Sequence, residues 1–262
     1  MININSLENK KIKEVVKLRK SGLQKSKELF LIDGKREIEL ALKSGVTVKE
    51  IFYCSDFSPE DSRLLDKIDQ EKIIIVSRNV FQKIAYKENP DGFLAIATRS
   101  ANSLNEIKLT HNPLVIILES VEKPGNLGAI LRTAYAAGVE AVIINNNQTD
   151  IFNPNVIRAS EGHIFTNKIV ISSVKETADW LKNNKIQSFA AAIKQSKNYL
   201  QSDFSGPSAI ILGSEAEGLS KNWLKLADSR ILIEMKSGID SLNVSVSAAI
   251  IVFEALRQRN IS

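Results

Sequence analysis

Three segments of the sequence combine glycine with asparagine, arginine, glutamate and serine, residue types that hold a ligand and act on it. They are residues 119–132, 212–220 and 233–245. Glycine lets a backbone approach a ligand closely, and a helix N-terminus offers N–H donors. The glycine spacing matches neither the dinucleotide-binding fingerprint nor the phosphate-binding P-loop. The segments therefore predict a nucleotide-like ligand held in another way, with an ordinary turn as the alternative for any single one.

Each of these segments follows a predicted β-strand. Apolar runs in the second half of the chain predict strands at 114–118, 141–144, 168–171, 188–192, 209–212 and 230–233. Helical patterns at 126–137, 155–160, 174–183 and 244–257 alternate with them. This alternation predicts an α/β domain with a largely parallel sheet and helices on both faces, and ligands bind beyond the carboxyl ends of such strands.

The first 98 residues predict a smaller α/β unit. Its strands are expected at 29–32, 48–53, 73–76 and 93–97, and its helices at 7–19, 35–43, 59–68 and 78–84. The third helix has Ser58 at the N-cap position and Pro59 at the first helical position. The polar stretch 99–112 predicts a linker. We therefore expect a first domain at 1–98, a linker at 99–112 and a second domain at 113–262.

Positive charge is concentrated at the start of the chain. The whole sequence of 262 residues carries a formal charge of +5, whereas eight basic and two acidic side chains give residues 1–27 alone +6. Lys10, Lys13, Lys17 and Lys20 recur at helical spacing and would form one basic stripe. Such a stripe suits contacts with nucleic-acid phosphates. The alternative is a solvated helix face.

The composition also excludes several classes of protein. One cysteine, Cys54, excludes an internal disulfide, and with two histidines the chain does not supply the usual Cys/His zinc site. No apolar run approaches the roughly 20 residues that cross a bilayer. The opening residues MININSLENKK lack the apolar core of a signal peptide. We expect a cytoplasmic protein without a metal site and without a membrane segment.

Four stretches of the second half together resemble one family. They are PGNLGAILRTAYAAGV, NPNVIRASEGHIF, AIILGSEAEGLS and SLNVSVSAAIIVFEAL, and they stand in the order found in the SpoU (TrmH-type) family of SPOUT RNA methyltransferases. The earlier ELFLIDGKREIELAL and NPDGFLAIA resemble the small L30e-like substrate-binding domain that often precedes it. The resemblance implies a trefoil knot in the second domain, a homodimer, S-adenosylmethionine as methyl donor, and methylation of a ribose 2′-hydroxyl in structured RNA, rRNA more than tRNA.

The resemblance also assigns residues to the site. The catalytic set it implies is Asn126, Arg132, Glu215, Ser241 and Asn243, and the cofactor contacts are Leu212, Gly213, Gly218, Ile233, Met235 and Leu242. Because arginine stays protonated, we expect Arg132 to orient the RNA and stabilise developing negative charge rather than act as a base. Asn126 is also a candidate helix cap, and Glu215 is expected to accept a hydrogen bond from Asn126 or Arg132, with Glu217 as the alternative.

One position departs from the family pattern, since Glu234 stands where the family often has proline in the cofactor loop. The candidate RNA contacts are Lys10, Lys13, Lys17, Lys35, Arg36 and Arg158. Three other functions remain open: a non-catalytic RNA-binding or ribosome-assembly factor with the same fold, the same reaction on tRNA, and a nucleotide-binding metabolic enzyme. The intact catalytic set favours the methyltransferase, and the basic terminus disfavours the metabolic enzyme.

Overall fold

The computed structural model describes residues 2–20, 28–58, 63–99, 102–238 and 241–259. The chain forms two compact units. Unit 1 comprises Met1–Ser100 and Asp150–Thr166, and unit 2 comprises Ala101–Thr149 and Asn167–Ser262. The division predicted from the sequence places 150–166 in the second domain, whereas the structure groups this segment with unit 1.

Unit 1 is built on a mixed sheet. In the described part of the chain it has five strands, in the order β1-β4-β3-β5-β2. They are β1 (Ile2–Ile4), β2 (Leu29–Asp33), β3 (Val48–Tyr53), β4 (Ile73–Val76) and β5 (Phe93–Thr98). β5 runs antiparallel to both of its neighbours, β3 and β2, while β1, β4 and β3 are mutually parallel.

Helices α1 (Lys10–Lys20), α2 (Lys35–Lys43) and α3 (Arg78–Ile84) complete the first part of unit 1. α1 buries Ile12 and Val15 against Phe81 and other residues of the core, which leaves its lysine-rich face outside. This arrangement is the usual one for an amphipathic helix.

Aromatic and ionic contacts hold residues 150–166 in unit 1. The rings of Phe152 and Phe30 stack with centroids 4.2 Å apart. Arg99 donates two hydrogen bonds of 2.6 Å to the carboxylate of Asp150. The helix α5 (Pro154–Ala159) packs against β2 and is capped by Asn153, whose side chain accepts from the Asn155 N–H. Contacts distant in sequence therefore decide where this segment belongs.

Unit 2 contains the parallel sheet that the sequence predicts. Its strands are β6 (Leu114–Glu119), β7 (Ala141–Asn145), β8 (Ile169–Ile171), β9 (Gln187–Ala191), β10 (Lys197–Asn198), β11 (Ser208–Leu212) and β12 (Ser229–Leu232). Their order is β10-β12-β9-β11-β6-β7-β8, and each of these pairings is parallel. β6 and β11 are buried along their whole length, as expected for strands covered on both faces.

Four helices of unit 2 surround this sheet in the described residues: α4 (Pro124–Ala136), α6 (Val174–Asn183), α7 (Lys221–Leu226) and α8 (Val244–Arg259). α4 begins with proline at its first position, and Gly138, with a φ of +69°, ends the turn that follows it. α6 carries a capping box between Ser173 and Glu176. α8 packs against both α4 and β11.

One prediction about local structure is wrong. The helix expected at 59–68 is a single turn of 3-10 helix at Leu65–Lys67, and residues 59–62, including Pro59, lie outside the described part. Leu64 alone of residues 63–67 is buried, so this stretch lacks the apolar stripe that would stabilise a longer helix. Within the expected linker, Leu104, Ile107 and Leu109 contact the core of unit 2. The sequence patterns also do not predict the strands β1 and β10.

Candidate active site

The loop after β6 delivers Asn126 from the first turn of α4. The helix begins at Pro124, with Lys123 in the cap position, so Asn126 lies inside the helix. The interpretation of Asn126 as a helix cap is therefore wrong, because the proline fixes the helix start two residues earlier. The Asn126 side chain is only 9% exposed and points inward. It is free of capping and can bond to other loops.

A relay of hydrogen bonds joins the three glycine-containing segments. The Asn126 Nδ2 donates to Oε1 of Glu215, which follows β11. The Asn126 Oδ1 in turn accepts a 3.0 Å hydrogen bond from Nδ2 of Asn243, which precedes α8. Asn243 uses its Oδ1 to accept from the N–H of Ser245 at 2.8 Å, so it also caps α8. Asn243 is therefore both the cap of α8 and a member of the relay.

The loop after β11 folds back on itself at two glycines. Ser214 and Gly218 exchange backbone hydrogen bonds of 3.2 and 3.0 Å. A Cβ atom on Gly213 would lie 2.2 Å from the carbonyl carbon of Gly218 and 2.4 Å from the Leu219 nitrogen. Gly218 has a φ of +70°, which favours glycine. Both positions therefore need glycine, one for space and one for conformation.

A cavity of about 660 Å³ lies beside this relay. All six residues predicted to contact a cofactor line it, namely Leu212, Gly213, Gly218, Ile233, Met235 and Leu242. The catalytic candidates Glu215 and Ser241 line it as well. The cavity therefore gathers the second and third segments around one space, while Asn126 connects to it through Glu215.

Part of the cavity wall was not found from the sequence. Ala192, Ile193 and Lys194, which follow β9, line it, and so does Arg230 of β12. The Arg230 guanidinium donates to the Leu224 carbonyl at 2.7 and 3.0 Å and to Gln195 at 2.7 Å, which ties three segments of the wall together. Strand order is the feature that would have predicted these residues. Because β9 lies between β11 and β12, its carboxyl end must meet the same edge of the sheet as theirs.

Two family models match the chain. The SpoU rRNA Methylase family matches residues 113–253, and the MRM3-like substrate binding domain matches residues 9–95. The chain belongs to the SpoU rRNA methylase family. The first match contains the cavity and the relay, and the second covers most of the N-terminal part of unit 1.

Known relatives of this SpoU methylase extend along nearly its whole length. The 23S rRNA (guanosine(2553)-2'-O)-methyltransferase RlmP of Bacillus subtilis is 29% identical over 97% of this chain and 98% of its own. The solved structure of an RNA 2'-O ribose methyltransferase has 36% identity and a TM-score of 0.85, covering 99% of this chain and 100% of that one. The AdoMet-bound rRNA methyltransferase of Sinorhizobium meliloti has 26% identity and a TM-score of 0.88, with 97% of each chain covered.

Arg132 and Ser241 occupy more exposed positions than Asn126. Arg132 lies six residues after Asn126 on α4, and its side chain is exposed. Helix α4 thus connects Arg132 rigidly to the relay. Ser241 is exposed at the cavity, and Glu217, the alternative to Glu215, is exposed on the same loop. The relay therefore selects Glu215 over Glu217.

Glu234 replaces the proline that the resemblance leads one to expect. Its side chain is exposed, whereas its neighbours Ile233 and Met235 line the cavity. The glutamate is thus accommodated on the outer side of the segment, while the flanking residues keep their predicted place.

The predicted RNA contacts of unit 1 differ in how far acids neutralise them. Lys10, Lys13 and Lys17 are all exposed on α1. Lys13 pairs with Glu8 at 2.5 Å, and this hydrogen bond and charge lower the pKa of Glu8. The basic face of α1 is therefore present, but Glu8 partly neutralises the charge of its middle lysine, Lys13.

Lys35, Arg36 and Arg158 are the other predicted RNA contacts. Arg36 pairs with Glu161 at 2.6 Å, and Lys35 lies 4.0 Å from Glu39. Arg158 is exposed on α5. Two of these three side chains thus already engage acids of the same unit, which makes them weaker candidates than the lysines of α1.

The residues that the structure describes contain neither a membrane-spanning helix nor a cluster of metal ligands. In that part of the chain no helix is long and apolar enough to cross a membrane. The same residues contain no group of three or more histidine, cysteine, aspartate or glutamate side chains that could hold a metal ion.

Proposed function

We propose that this protein transfers the methyl group of S-adenosylmethionine to a ribose 2′-hydroxyl of ribosomal RNA. The observation that carries the proposal is the relay from Glu215 through Asn126 to Asn243, which joins the three family segments beside one cavity. Family membership and the 23S rRNA relative support the same reaction and the same class of RNA.

The cavity suits S-adenosylmethionine in size and chemistry. Its volume falls within the range of about 300–1,000 Å³ usual for small-molecule sites. The missing Cβ of Gly213 leaves the backbone of the loop close to the space, and Leu212, Ile233 and Leu242 supply apolar walls for an adenine ring. These residues would hold the cofactor through backbone groups and apolar contacts.

When bound, S-adenosylmethionine supplies an electrophilic methyl group that moves to the 2′-oxygen as the hydroxyl proton leaves. The residues of this chain contribute position and charge. Arg132, exposed and fixed by α4 relative to Asn126, offers a guanidinium to the RNA and stabilises negative charge developing on the ribose oxygen. Asn126 holds the three loops together through the hydrogen bonds of the relay. Fixed geometry of this kind can supply a large share of the rate enhancement.

We further propose that the protein is a homodimer. Val246 and Phe253 on α8 are each 47% exposed, and a separation of seven residues places them on one helix face. Tyr135 on α4, the helix that α8 packs against, is also exposed. Exposed apolar residues grouped in this way are typical of a protein interface.

Three finer parts of the proposal follow from the family resemblance. The catalytic unit contains a trefoil knot, unit 1 captures the RNA through Lys10, Lys13 and Lys17, and the protein works in the cytoplasm. The exposure of these three lysines supports the second part.

The deciding experiment maps ribose methylation across rRNA and tRNA in cells with and without this protein. We expect loss of methylation at one or a few rRNA positions. Loss of methylation confined to tRNA would identify tRNA, rather than rRNA, as the substrate. An unchanged map, together with calorimetry showing that the purified protein does not bind S-adenosylmethionine with or without RNA, would instead favour the non-catalytic assembly factor.

A further inference from the structure

A buried carboxylate stands at the end of an inner strand of the unit 2 sheet and lies outside the predicted catalytic and cofactor sets. Glu119 is the last residue of β6 and is 2% exposed. Its Oε2 accepts a 2.8 Å hydrogen bond from the backbone N–H of Ser220, and its Oε1 faces Nδ2 of Asn146 at 3.4 Å. Burying a carboxylate is costly unless its oxygens are hydrogen-bonded. The two hydrogen bonds of Glu119 therefore indicate a structural role.

Ser220 closes the loop that bends over the cavity. The residues Gly213–Leu219 immediately before it line the cavity, and the Ser220 side chain caps α7 by accepting from the Trp223 N–H. The start of this loop is fixed by β11. The bond from Glu119 fixes its end across a separation of 101 residues in sequence. Both ends of the loop are therefore anchored, one by the sheet and one by this carboxylate.

We propose that Glu119 is a positioning residue for S-adenosylmethionine. Its carboxylate holds residues 213–220 in the conformation that accepts the cofactor. This inference rests on the proposed function, because it names the loop's ligand. Glu119 acts through Ser220 rather than by touching the cofactor, so its loss should weaken binding more than it slows the chemical step.

The molecule offers a control at the other end of the sheet, Asp228, a carboxylate that is exposed whereas Glu119 is buried. Asp228 accepts hydrogen bonds from the backbone N–H of Ser188 at 2.8 Å and from its hydroxyl at 2.6 Å. Ser188 lies at the amino-terminal end of β9, away from the carboxyl ends that form the cavity. Removing either carboxylate deletes a hydrogen bond to a backbone N–H within the same unit, but only Glu119 anchors the cofactor loop.

The test compares Glu119→Ala, Glu119→Gln and Asp228→Ala in the full-length protein. Calorimetry should give a Kd for S-adenosylmethionine raised at least about tenfold by Glu119→Ala, the size expected for losing a charge-assisted hydrogen bond. The methyl-transfer kcat at saturating cofactor should stay within about threefold, which separates binding from chemistry. Glu119→Gln keeps an oxygen for the Ser220 N–H and should restore the affinity.

Hydrogen exchange on the cofactor-free proteins supplies an independent readout. Amides of residues 213–220 should exchange faster in Glu119→Ala than in the wild type. Asp228→Ala should leave these amides and the Kd unchanged. Wild-type affinity in Glu119→Ala, or an equal loss in Asp228→Ala, would overturn the assignment. If the wild type binds no S-adenosylmethionine, the proposed function fails, while the exchange data still decide whether Glu119 fixes the loop.

Discussion

In each unit one strand ends with a buried carboxylate, and the two carboxylates have different roles. Asp33 closes β2 in unit 1 and Glu119 closes β6 in unit 2; both accept hydrogen bonds from backbone N–H groups. Asp33 binds the N–H groups of Tyr86 and Lys87 through Oδ2, whereas within the described residues its Oδ1 has no hydrogen-bond partner. Burial raises the pKa of Asp33. Only the carboxylate of unit 2 holds a loop that lines the large cavity.

Sheet topology explains the difference. In unit 2 the strands β12, β9, β11 and β6 are parallel neighbours, so their carboxyl ends meet at one edge, and the loops after β12, β9 and β11 surround a space. In unit 1 the antiparallel strand β5 lies between β3 and β2. Its first residue, Phe93, pairs with Tyr53 at the end of β3, so the start of β5 fills the edge that would otherwise be open. Similar local chemistry thus accompanies an open cavity in one unit and a closed edge in the other.

The largest expected effect concerns the chemistry of unit 2. Arg132→Ala should lower methyl transfer at saturating RNA and cofactor by at least about 100-fold, because stabilisation of developing charge is lost. The Kd for S-adenosylmethionine should stay near the wild-type value. Lys175→Ala, which removes a positive charge from the exposed face of α6, serves as the control and should behave as wild type. A normal single-turnover rate for Arg132→Ala would end its catalytic assignment.

The next effect tests the cavity itself. Gly213→Ala places a methyl group against the backbone of Gly218 and Leu219 and should raise the Kd for S-adenosylmethionine at least about tenfold, since rigid backbone must move to admit it. Gly206→Ala is the matched control, because a Cβ there meets nothing within 4 Å. Calorimetry on both variants checks the prediction, and equal affinities would argue against the cavity as the cofactor site.

The assembly of unit 2 should depend on α8. Phe253→Glu places a charge on the exposed apolar face and should shift the protein from dimer to monomer at micromolar concentration. Leu226→Glu changes an equally apolar, exposed residue on α7 and should leave the dimer intact. Sedimentation measures both. A wild type that sediments as a monomer would remove the dimer proposal.

A smaller effect belongs to unit 1. Replacing Lys10, Lys13 and Lys17 together with glutamine should weaken RNA binding and lower the salt dependence of log K by roughly 1.5 to 2.5 units, at about 0.7–0.9 per phosphate contact. The lower end applies if Lys13 stays paired with Glu8. Methyl transfer at saturating RNA should persist, since these lysines lie outside unit 2. An unchanged salt slope would indicate that the lysine face of α1 is solvated and does not contact RNA phosphates.

The smallest effect concerns the buried carboxylate of unit 1 and the dependence of stability on pH. Because the pKa of Asp33 is raised in the folded protein, folding is favoured by this group at acid pH, and that contribution is lost as the pH rises from its ordinary pKa of 3.8 through the raised value. Asp33→Asn does not titrate and keeps an oxygen for the two N–H groups. Its free energy of unfolding should therefore improve relative to the wild type between pH 3 and pH 7, measured by denaturant titration, with cofactor affinity unchanged. A difference that is flat with pH would contradict this.

The sequence by itself determined most of the strands and helices of unit 2 and the residues proposed for its site. Runs such as LVIILE can be buried only as strands covered on both faces, so the parallel sheet followed from local pattern alone. The second and third family segments identified part of the cavity wall because each carries its own glycines and polar groups. The same local reasoning misjudged Asn126 as a cap and extended a single 3-10 turn into a helix.

Only the tertiary structure decided how distant segments meet. Residues 150–166 join unit 1 through Phe152 and Asp150, whose partners Phe30 and Arg99 lie far away in sequence. Ala192, Ile193 and Lys194 reach the cavity because β9 lies between β11 and β12. The bond from Glu119 to Ser220 likewise spans 101 residues. Such contacts depend on strand order and burial, and no periodicity within a short window of sequence encodes either of them.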